Sequence, residues 1–285
     1  RVGGAGMLGQ AVVRELEARG VKYIATDREL DFTDLSSLRT FAQAKSLDWI
    51  VNCAAYTAVD NAEDEEALAL QLNAEGPRNL ATVASETGAS LLHISTDYVF
   101  DGALDRPYRE QDLPKPRSAY GRTKLAGERN VQATLNRHVI IRTAWLYGHG
   151  GKNFVETMLR LQSERDELAV VDDQLGSPTF AGDLAQAIVS VVESATPEYG
   201  LYHYSGGGEC TWYGFAREIQ RLAVTLDIIG DRCTIRPVSR EEFPQKAERP
   251  ANSRLSTEKI KERYGLEPPH WRESLQVYLE TRSRE

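Results

Sequence analysis

Hydrophobic and polar positions follow two different periods over the first 150 residues of the chain. Short apolar runs alternate with longer stretches in which apolar residues recur at helical spacing, as Leu8, Val12 and Leu16 do. The predicted strands cover residues 23–26, 49–54, 90–96 and 138–145, and the predicted helices follow the first glycines and cover 63–87 and 119–133. This alternation predicts an α/β fold, a doubly wound parallel sheet with helices on both faces. Ligands of such sheets bind beyond the carboxyl ends of the strands.

Beyond residue 150 the pattern loosens, and prolines and glycines become more frequent. The predicted elements there are a helix at 154–165, a strand at 168–172, a helix at 180–193 and a strand at 202–205. We expect a dinucleotide-binding domain at residues 1–150 and a smaller C-terminal α/β substrate domain at 151–285 that closes over it. The helix at 180–193 is expected to pack back on the first domain.

A glycine ladder, Gly3-x-x-Gly6-x-x-Gly9, opens the chain. Glycines at this spacing allow a tight turn and bring backbone close to a pyrophosphate, which the first amides of the next helix, at Met7 and Leu8, attract. This favours a Rossmann-type sheet, although a purely structural glycine turn is the alternative if the motif stands alone. Only two residues precede Gly3, so we expect that part of the first strand is missing from this chain.

Further candidate cofactor contacts follow the predicted strands. Asp27 lies twenty-four residues after Gly3, where a carboxylate can bind the ribose hydroxyls of NAD, and Arg28 beside it could pair with the 2′-phosphate of NADP. For both residues the alternative is a solvated turn. The other candidates close strands where a cofactor would lie, and they are Asp31, Phe32, Ala54, Ala55 and Tyr56.

Composition narrows the class of protein. The chain has 285 residues and a formal net charge of −8, which disfavours nucleic acid and anionic membranes as partners but not a local basic pocket for a small anion. Cys53, Cys210 and Cys233 form no Cys-x-x-Cys pair, which argues against a zinc site or a disulfide framework. Because no apolar run approaches the ~18 residues that span a bilayer, and no leader precedes the first motif, we expect a cytoplasmic protein with no membrane partner.

Tyr120 and Lys124 carry the strongest chemical signal. A spacing of four places the phenol and the ammonium on one face of a helix, where the cation is expected to lower the pKa of the phenol. Thr96, at the end of a predicted strand, supplies a hydroxyl that can bind the oxygen of a carbonyl being reduced. A Tyr-x-x-x-Lys pair alone is common on helix surfaces, but together with Thr96 it predicts a redox site.

Several motifs resemble those of the extended short-chain dehydrogenase/reductases. They are the glycine ladder, Asn52-Cys53-Ala54-Ala55, the segment from Ser95 to Gly102 (STDYVFDG), and Tyr120-x-x-x-Lys124. Within that superfamily, four more motifs are similar to the dTDP-4-dehydrorhamnose reductase family. They are TAVD at 57–60, RTAWLYG at 142–148, DQxGSPT at 173–179 and RPxxSRL at 249–255.

The resemblance implies reduction of the C4 carbonyl of dTDP-4-dehydro-L-rhamnose to dTDP-L-rhamnose by NADPH or NADH. Tyr120 would protonate the new alkoxide, Lys124 would bind the nicotinamide ribose, and Thr96 would polarise the carbonyl. Tyr120 and Lys124 thereby count as cofactor contacts as well. The implied contacts to the nucleotide sugar are Val59, Thr96, Tyr98, Tyr120, Trp145, Asn153, Arg249 and Arg254.

The resemblance also bears on metal and oligomeric state. Some relatives hold magnesium between subunits through glutamates, but the corresponding glutamate is not evident in the helix after Gly9. We therefore expect no required metal, and a monomer or homodimer.

Two other functions stay open. A related nucleotide-sugar reductase or epimerase would share the motifs but act on another base or sugar. A catalytically silent NAD(P)-binding regulatory subunit is the second alternative, and the presence of Thr96, Tyr120 and Lys124 together argues against it.

Overall fold

The computed structural model describes residues 3–282. The central sheet of the structure has four parallel strands, in the order β1-β2-β3-β8. The strands are β1 Trp49–Asn52, β2 Ser90–Thr96, β3 His138–Thr143, β4 Leu146–Tyr147, β5 Glu167–Val171, β6 Leu175–Gly176, β7 Thr179–Phe180, β8 Gly200–His203, β9 Cys210–Thr211 and β10 Thr234–Val238. The α-helices are α1 Met7–Ala18, α2 Leu35–Gln43, α3 Glu66–Leu70, α4 Gly76–Thr87, α5 Ala119–Thr134, α6 Phe154–Glu164, α7 Ala181–Glu193, α8 Trp212–Thr225, α9 Glu258–Tyr264 and α10 Trp271–Arg282.

Helices cover both faces of this sheet. Successive residues of each strand point to opposite faces, so neighbouring apolar residues pack into different cores. Leu92 and Ile141 pack with α1 and α7 on one face. Their neighbours Leu91 and Ile140 pack with α2, α4 and α5 on the other. All four side chains are fully buried. The predicted α/β fold with a doubly wound parallel sheet is therefore confirmed.

A second core lies in the C-terminal part of the chain. Strands β5 and β10 pair in parallel, and helices α6, α8 and α10 pack around an apolar cluster that includes Leu159, Phe215, Ile219, Trp271 and Leu275. This cluster also contains Tyr147, from the segment that follows β3. The two cores are thus connected directly beside the carboxyl ends of the central strands.

Three expectations about strands were wrong. Residues 23–26 form no strand, and Gly4 N–H donates to the Thr26 carbonyl at 2.9 Å where that segment meets the glycine loop. Asp31 and Phe32 lie in a turn, because the Asp31 carboxylate accepts hydrogen bonds from the amide and the hydroxyl of Thr33 and so favours a bend over an extended chain.

The third correction concerns the strand expected at 202–205 in the smaller domain. It is β8, and it pairs with β3 in the central sheet. Helix α7 packs against α1, and the chain runs from it back into the central sheet at β8. The expectation of an incomplete first strand falls on residues 1–2, which lie outside the described residues.

Among the described helices, none combines the length and the apolar character that crossing a membrane requires.

Candidate active site

Helix α5 lies against the turn that follows β2. Ser118 caps the helix by accepting a hydrogen bond from Gly121 N–H at 3.1 Å. A Cβ atom on Gly121 would lie only 2.2 Å from the carbonyl oxygen of Tyr98, so glycine is what lets the helix approach the turn this closely. The rings of Tyr98 and Tyr120 meet edge to face, 5.5 Å between centroids.

The structure brings together Thr96, Tyr120 and Lys124, which form the predicted catalytic trio. Thr96 ends β2, and its hydroxyl lies close enough to the Tyr120 phenol on α5 to act on the pKa of that phenol. Lys124, one turn further along the helix, is 2% exposed, and its ammonium donates to the Ile94 carbonyl at 2.6 Å. Burial lowers the pKa of Lys124 to about 8, an effect that the nearby Glu128 carboxylate partly offsets.

In the protein alone the pKa of Tyr120 is not lowered, and the lowering expected from Lys124 together with a bound nicotinamide cation stays a prediction. Burial raises the pKa of the phenol to about 12, the hydrogen bond with Thr96 opposes the rise, and the charge of Asp97 adds to it. Desolvation of the charged form is the largest cause, and the Lys124 ammonium is directed at the Ile94 carbonyl of β2. The phenol therefore keeps its proton at neutral pH.

Asp97 is a functional candidate that the sequence reasoning did not single out. It follows Thr96 directly, is 3% exposed, and its Oδ1 accepts a hydrogen bond from the Thr96 hydroxyl at 2.9 Å. Burial raises the pKa of its carboxyl to about 6, while hydrogen bonds from Ser253 and Thr96 lower it. The only signal in the sequence was its position inside the STDYVFDG motif.

On the cofactor side, Gly3 and Ala54 come together. Gly3 has a φ of +79°, and a Cβ atom there would lie 2.6 Å from the Ala54 amide nitrogen, so both the backbone conformation and the spacing require glycine. Gly6 precedes helix α1, which begins at Met7 and has no acidic side chain in its first turn. The N-terminus of α1 is thus free of competing carboxylates, which suits a phosphate group.

The other predicted cofactor residues divide between surface and core. Asp27 is partly buried in a turn beside the glycine loop, and Arg28 is exposed. The side chains of Leu8 and Phe32 are both buried in the apolar core, where the Phe32 ring fills the space that a side chain on Gly76 would need. Leu8 and Phe32 can therefore offer only backbone atoms to a ligand.

The loop after β1 carries Ala55 and Tyr56, and a buried asparagine fixes it. Tyr56 N–H donates to Asn73 Oδ1 at 2.8 Å, and the Asn73 amide donates to the Tyr56 carbonyl and to the Thr123 hydroxyl, both at 3.1 Å. Asn73 lies in a π-helical turn, Gln71–Glu75, of the kind often found at functional sites. The sequence reasoning missed Asn73 because a single asparagine in a helical stretch gives no signal. The Tyr56 hydroxyl donates to Glu65, which raises the pKa of the phenol to about 12.

On the substrate side, Trp145 has an unusual backbone. Its φ of +50° is rare for a bulky residue and marks a constrained position. Its ring stacks on Trp212 of α8 with 3.5 Å between centroids and an 8° interplanar angle, and it lies against Gly176. Trp212 is a second aromatic candidate that the sequence reasoning missed.

Arg249 connects the C-terminal loop to the loop that carries Val59. Its guanidinium makes a two-pronged ion pair with Asp60, at 2.9 and 2.7 Å. The hydrogen bond to Arg249 holds the pKa of the Asp60 carboxyl below its usual value. The Arg249 charge also acts on the Tyr98 phenol, although burial raises the pKa of that phenol overall. Arg249 therefore lies near Tyr98, whose ring meets Tyr120 edge to face.

Arg254 and Asn153 are more distant candidates. Arg254 donates to Glu209 at 2.7 Å and to Asn252 at 2.9 Å, and it lines a cavity of about 580 Å³ to which no member of the trio contributes. Asn153 caps α6 and donates to the Gly148 carbonyl at 2.8 Å, so its amide holds the loop that faces Met7. The structure does not bring these two residues to the trio.

A buried ion pair supports α5 from beneath. Arg142 on β3 donates to both carboxylate oxygens of Glu128, at 2.8 and 2.6 Å, and both side chains are 2% exposed. The hydroxyl of Ser95 donates to the same carboxylate at 2.5 Å. Because Glu128 lies one turn after Lys124 and Ser95 precedes Thr96, the pair fixes helix and strand at the residues of the trio.

Within residues 3–282, no group of three or more His, Cys, Asp or Glu side chains is arranged to hold a metal ion.

Comparison with known proteins identifies the family. The family described as RmlD substrate binding domain has a model that matches residues 1–284. The spore coat polysaccharide biosynthesis protein SpsK of Bacillus subtilis is 43% identical over 282 residues, 99% of this chain and 96% of that protein. The dTDP-4-dehydrorhamnose reductase of Streptomyces griseus is 44% identical, covering 96% of this chain and 90% of that protein. The crystal structure of dTDP-4-dehydrorhamnose reductase from Bacillus anthracis in complex with NADP has a TM-score of 0.92 and 39% identity, covering 98% of this chain and 97% of that one.

The doubly wound sheet and the site at its carboxyl edge define an oxidoreductase of the extended short-chain dehydrogenase/reductase class. The family model matches nearly the whole chain. This chain therefore belongs to the RmlD substrate binding domain family. The resemblance inferred from its motifs is thereby confirmed.

Proposed function

We propose that the protein reduces the C4 carbonyl of dTDP-4-dehydro-L-rhamnose to give dTDP-L-rhamnose, with NADPH or NADH as reductant. The observation that carries the proposal is the juxtaposition of the Thr96 and Tyr120 hydroxyls, with the Lys124 ammonium one helical turn away. The choice of substrate rests on the relatives that carry the name dTDP-4-dehydrorhamnose reductase.

The residues present fit a dinucleotide. Gly3 lets the glycine loop pack directly on the Ala54 backbone, and the first turn of α1, which carries no acidic side chain, would offer its amides to a pyrophosphate. Asp27, beside the glycine loop, would bind ribose hydroxyls, and the exposed Arg28 can reach a 2′-phosphate, which allows NADPH as well as NADH. When bound, the nicotinamide supplies the hydride.

Reduction leaves negative charge on the former carbonyl oxygen, and the trio is suited to stabilise it. Tyr120 holds a proton at neutral pH, because burial raises its pKa to about 12, and the phenol can transfer that proton to the strongly basic alkoxide. Lys124, with a pKa of about 8, carries a positive charge at pH 7. Thr96 contributes the second hydroxyl at the oxygen.

The substrate side supplies apolar and charged surfaces. The stacked rings of Trp145 and Trp212 give a flat apolar face that suits the C–H face of a deoxyhexose. Val59 and Tyr98 would complete the sugar pocket. Arg249, held by Asp60, would pair with a diphosphate that enters between the two cores.

The test is turnover by the purified full chain, followed through NADPH and NADH absorbance with dTDP-4-dehydrorhamnose and, as a control, a UDP-linked 4-keto sugar. We expect oxidation of the cofactor that depends on the dTDP-linked sugar, with dTDP-L-rhamnose as the product. Tight cofactor binding without turnover would instead support a regulatory NAD(P)-binding subunit. Preferential turnover of the UDP-linked sugar would support a related nucleotide-sugar reductase.

A further inference from the structure

Asp97 is the most unusual polar group of the site. Its Oδ1 accepts the hydrogen bond from Thr96 at 2.9 Å, while its Oδ2 is buried and has no hydrogen-bond partner among the described residues. An ionised carboxylate with one unsatisfied buried oxygen is costly, whereas a protonated carboxyl tolerates the same surroundings far better. The site therefore favours the neutral form of Asp97 more than water does, and the pKa of the carboxyl is raised to about 6.

Thr96 has only one proton to donate. In the structure it donates that proton to Asp97, and its oxygen accepts a hydrogen bond from the Tyr98 amide at 3.2 Å. Polarising a substrate carbonyl requires the same proton to point at the substrate oxygen. The two uses exclude each other, so the acceptor strength of Asp97 decides between them.

We propose that Asp97 is a positioning residue that acts through Thr96: a protonated Asp97 releases the Thr96 hydroxyl proton towards the oxygen of the carbonyl being reduced, and an ionised Asp97 withholds it. The inference rests on the proposed reductase function. It assigns Asp97 no direct contact with the substrate and no transfer of its own proton.

Groups around Asp97 support this arrangement. The titratable groups that face it are the phenols of Tyr98, on its own turn, and Tyr120, on α5, and the Ser253 hydroxyl approaches from the C-terminal loop. An ionised Asp97 raises the pKa of Tyr120 and so weakens the phenol as a proton donor. Both effects act in the same direction, and reduction should be favoured when Asp97 is neutral, below its pKa of about 6.

The experiment measures kcat/KM for carbonyl reduction between pH 5 and 9. For the unaltered protein we expect a decline of up to about tenfold per pH unit above a group near pH 6. Asp97→Asn, which is permanently neutral, should abolish that decline and exceed the unaltered protein at pH 8. Ser253→Ala removes a hydrogen bond that lowers the pKa of Asp97, so it should shift the decline to higher pH. Asp101→Asn, at a neighbouring aspartate that bonds to Tyr108, is the matched control and should leave the profile unchanged.

A second readout does not depend on turnover. Carbon-13 NMR of protein labelled at the aspartate carboxyls should show one signal that titrates near pH 6 and is missing from Asp97→Asn. A profile of Asp97→Asn that keeps the decline, or an Asp97 signal that titrates below pH 4, would overturn the role of Asp97. If Asp97→Asn fails to fold, an unshifted profile for Ser253→Ala overturns it equally. Absence of turnover by the unaltered protein would overturn the proposed function itself, and this inference with it.

Discussion

Residue 121 has no room for a side chain, and this makes it a sensitive test of the site. A Cβ on Gly121 would lie 2.2 Å from the Tyr98 carbonyl oxygen, more than 1 Å closer than an ordinary contact of about 3.4 Å. The obstacle is backbone of the turn after Thr96 and cannot rotate away. In Gly121→Ala, helix α5 must therefore move by about 1 Å and carry Tyr120 with it. A displacement of this size can cost about 10² in rate.

The expected change in the stability of Gly121→Ala is opposite to the change that helix propensity alone predicts. Alanine is the better helix former by about 1 kcal/mol, so propensity alone predicts a more stable and fully active protein. We expect instead that Gly121→Ala lowers kcat by about 10² and unfolding free energy by about 1–3 kcal/mol, as overpacking does. The assays are NADPH oxidation and urea denaturation. Gly230→Ala is the control, because a Cβ there meets nothing within 4 Å. A kcat of Gly121→Ala within threefold of the unaltered protein would refute the reasoning.

Two further substitutions test the support of the site. Arg142→Met leaves the buried Glu128 carboxylate without its cation, and urea denaturation should show a loss of about 3–5 kcal/mol, whereas Arg39→Met in an exposed ion pair should change the stability little. Equal losses at the two arginines would contradict this account. Gly3→Ala places a Cβ 2.6 Å from the Ala54 nitrogen at a φ of +79°, so NADPH affinity in a fluorescence titration should fall at least tenfold, and unchanged affinity would remove Gly3 from the cofactor site.

Much of the first part of the fold followed from local sequence. The strand predicted at 90–96 is observed with the same ends, and the helix predicted at 119–133 is observed as Ala119–Thr134. Both succeed because their signals are local: a short run that holds Leu91, Leu92 and Ile94 for the strand, and a serine cap before the helix. The placement of Tyr120 and Lys124 on one helix needed nothing more.

Other features depend on contacts between distant parts of the chain, and periodicity cannot reveal these. Asp97 is buried partly by Ser253, more than 150 positions later. Trp145 owes its surroundings to Trp212, which lies more than 60 positions later in the chain. The direction of the Lys124 ammonium depends on which carbonyl of β2 lies opposite α5, and that is set only when helix and sheet pack together.

The central claim is that the Tyr120 phenol delivers the proton in a carbonyl reduction, and Tyr120→Phe tests it most directly. The measurement pairs the dissociation constant for NADPH with kcat for dTDP-4-dehydrorhamnose in the same preparation. The account predicts cofactor affinity within a few-fold of the unaltered protein and a kcat lower by about 10² or more, as expected for loss of a positioned proton donor. An unchanged kcat would contradict it.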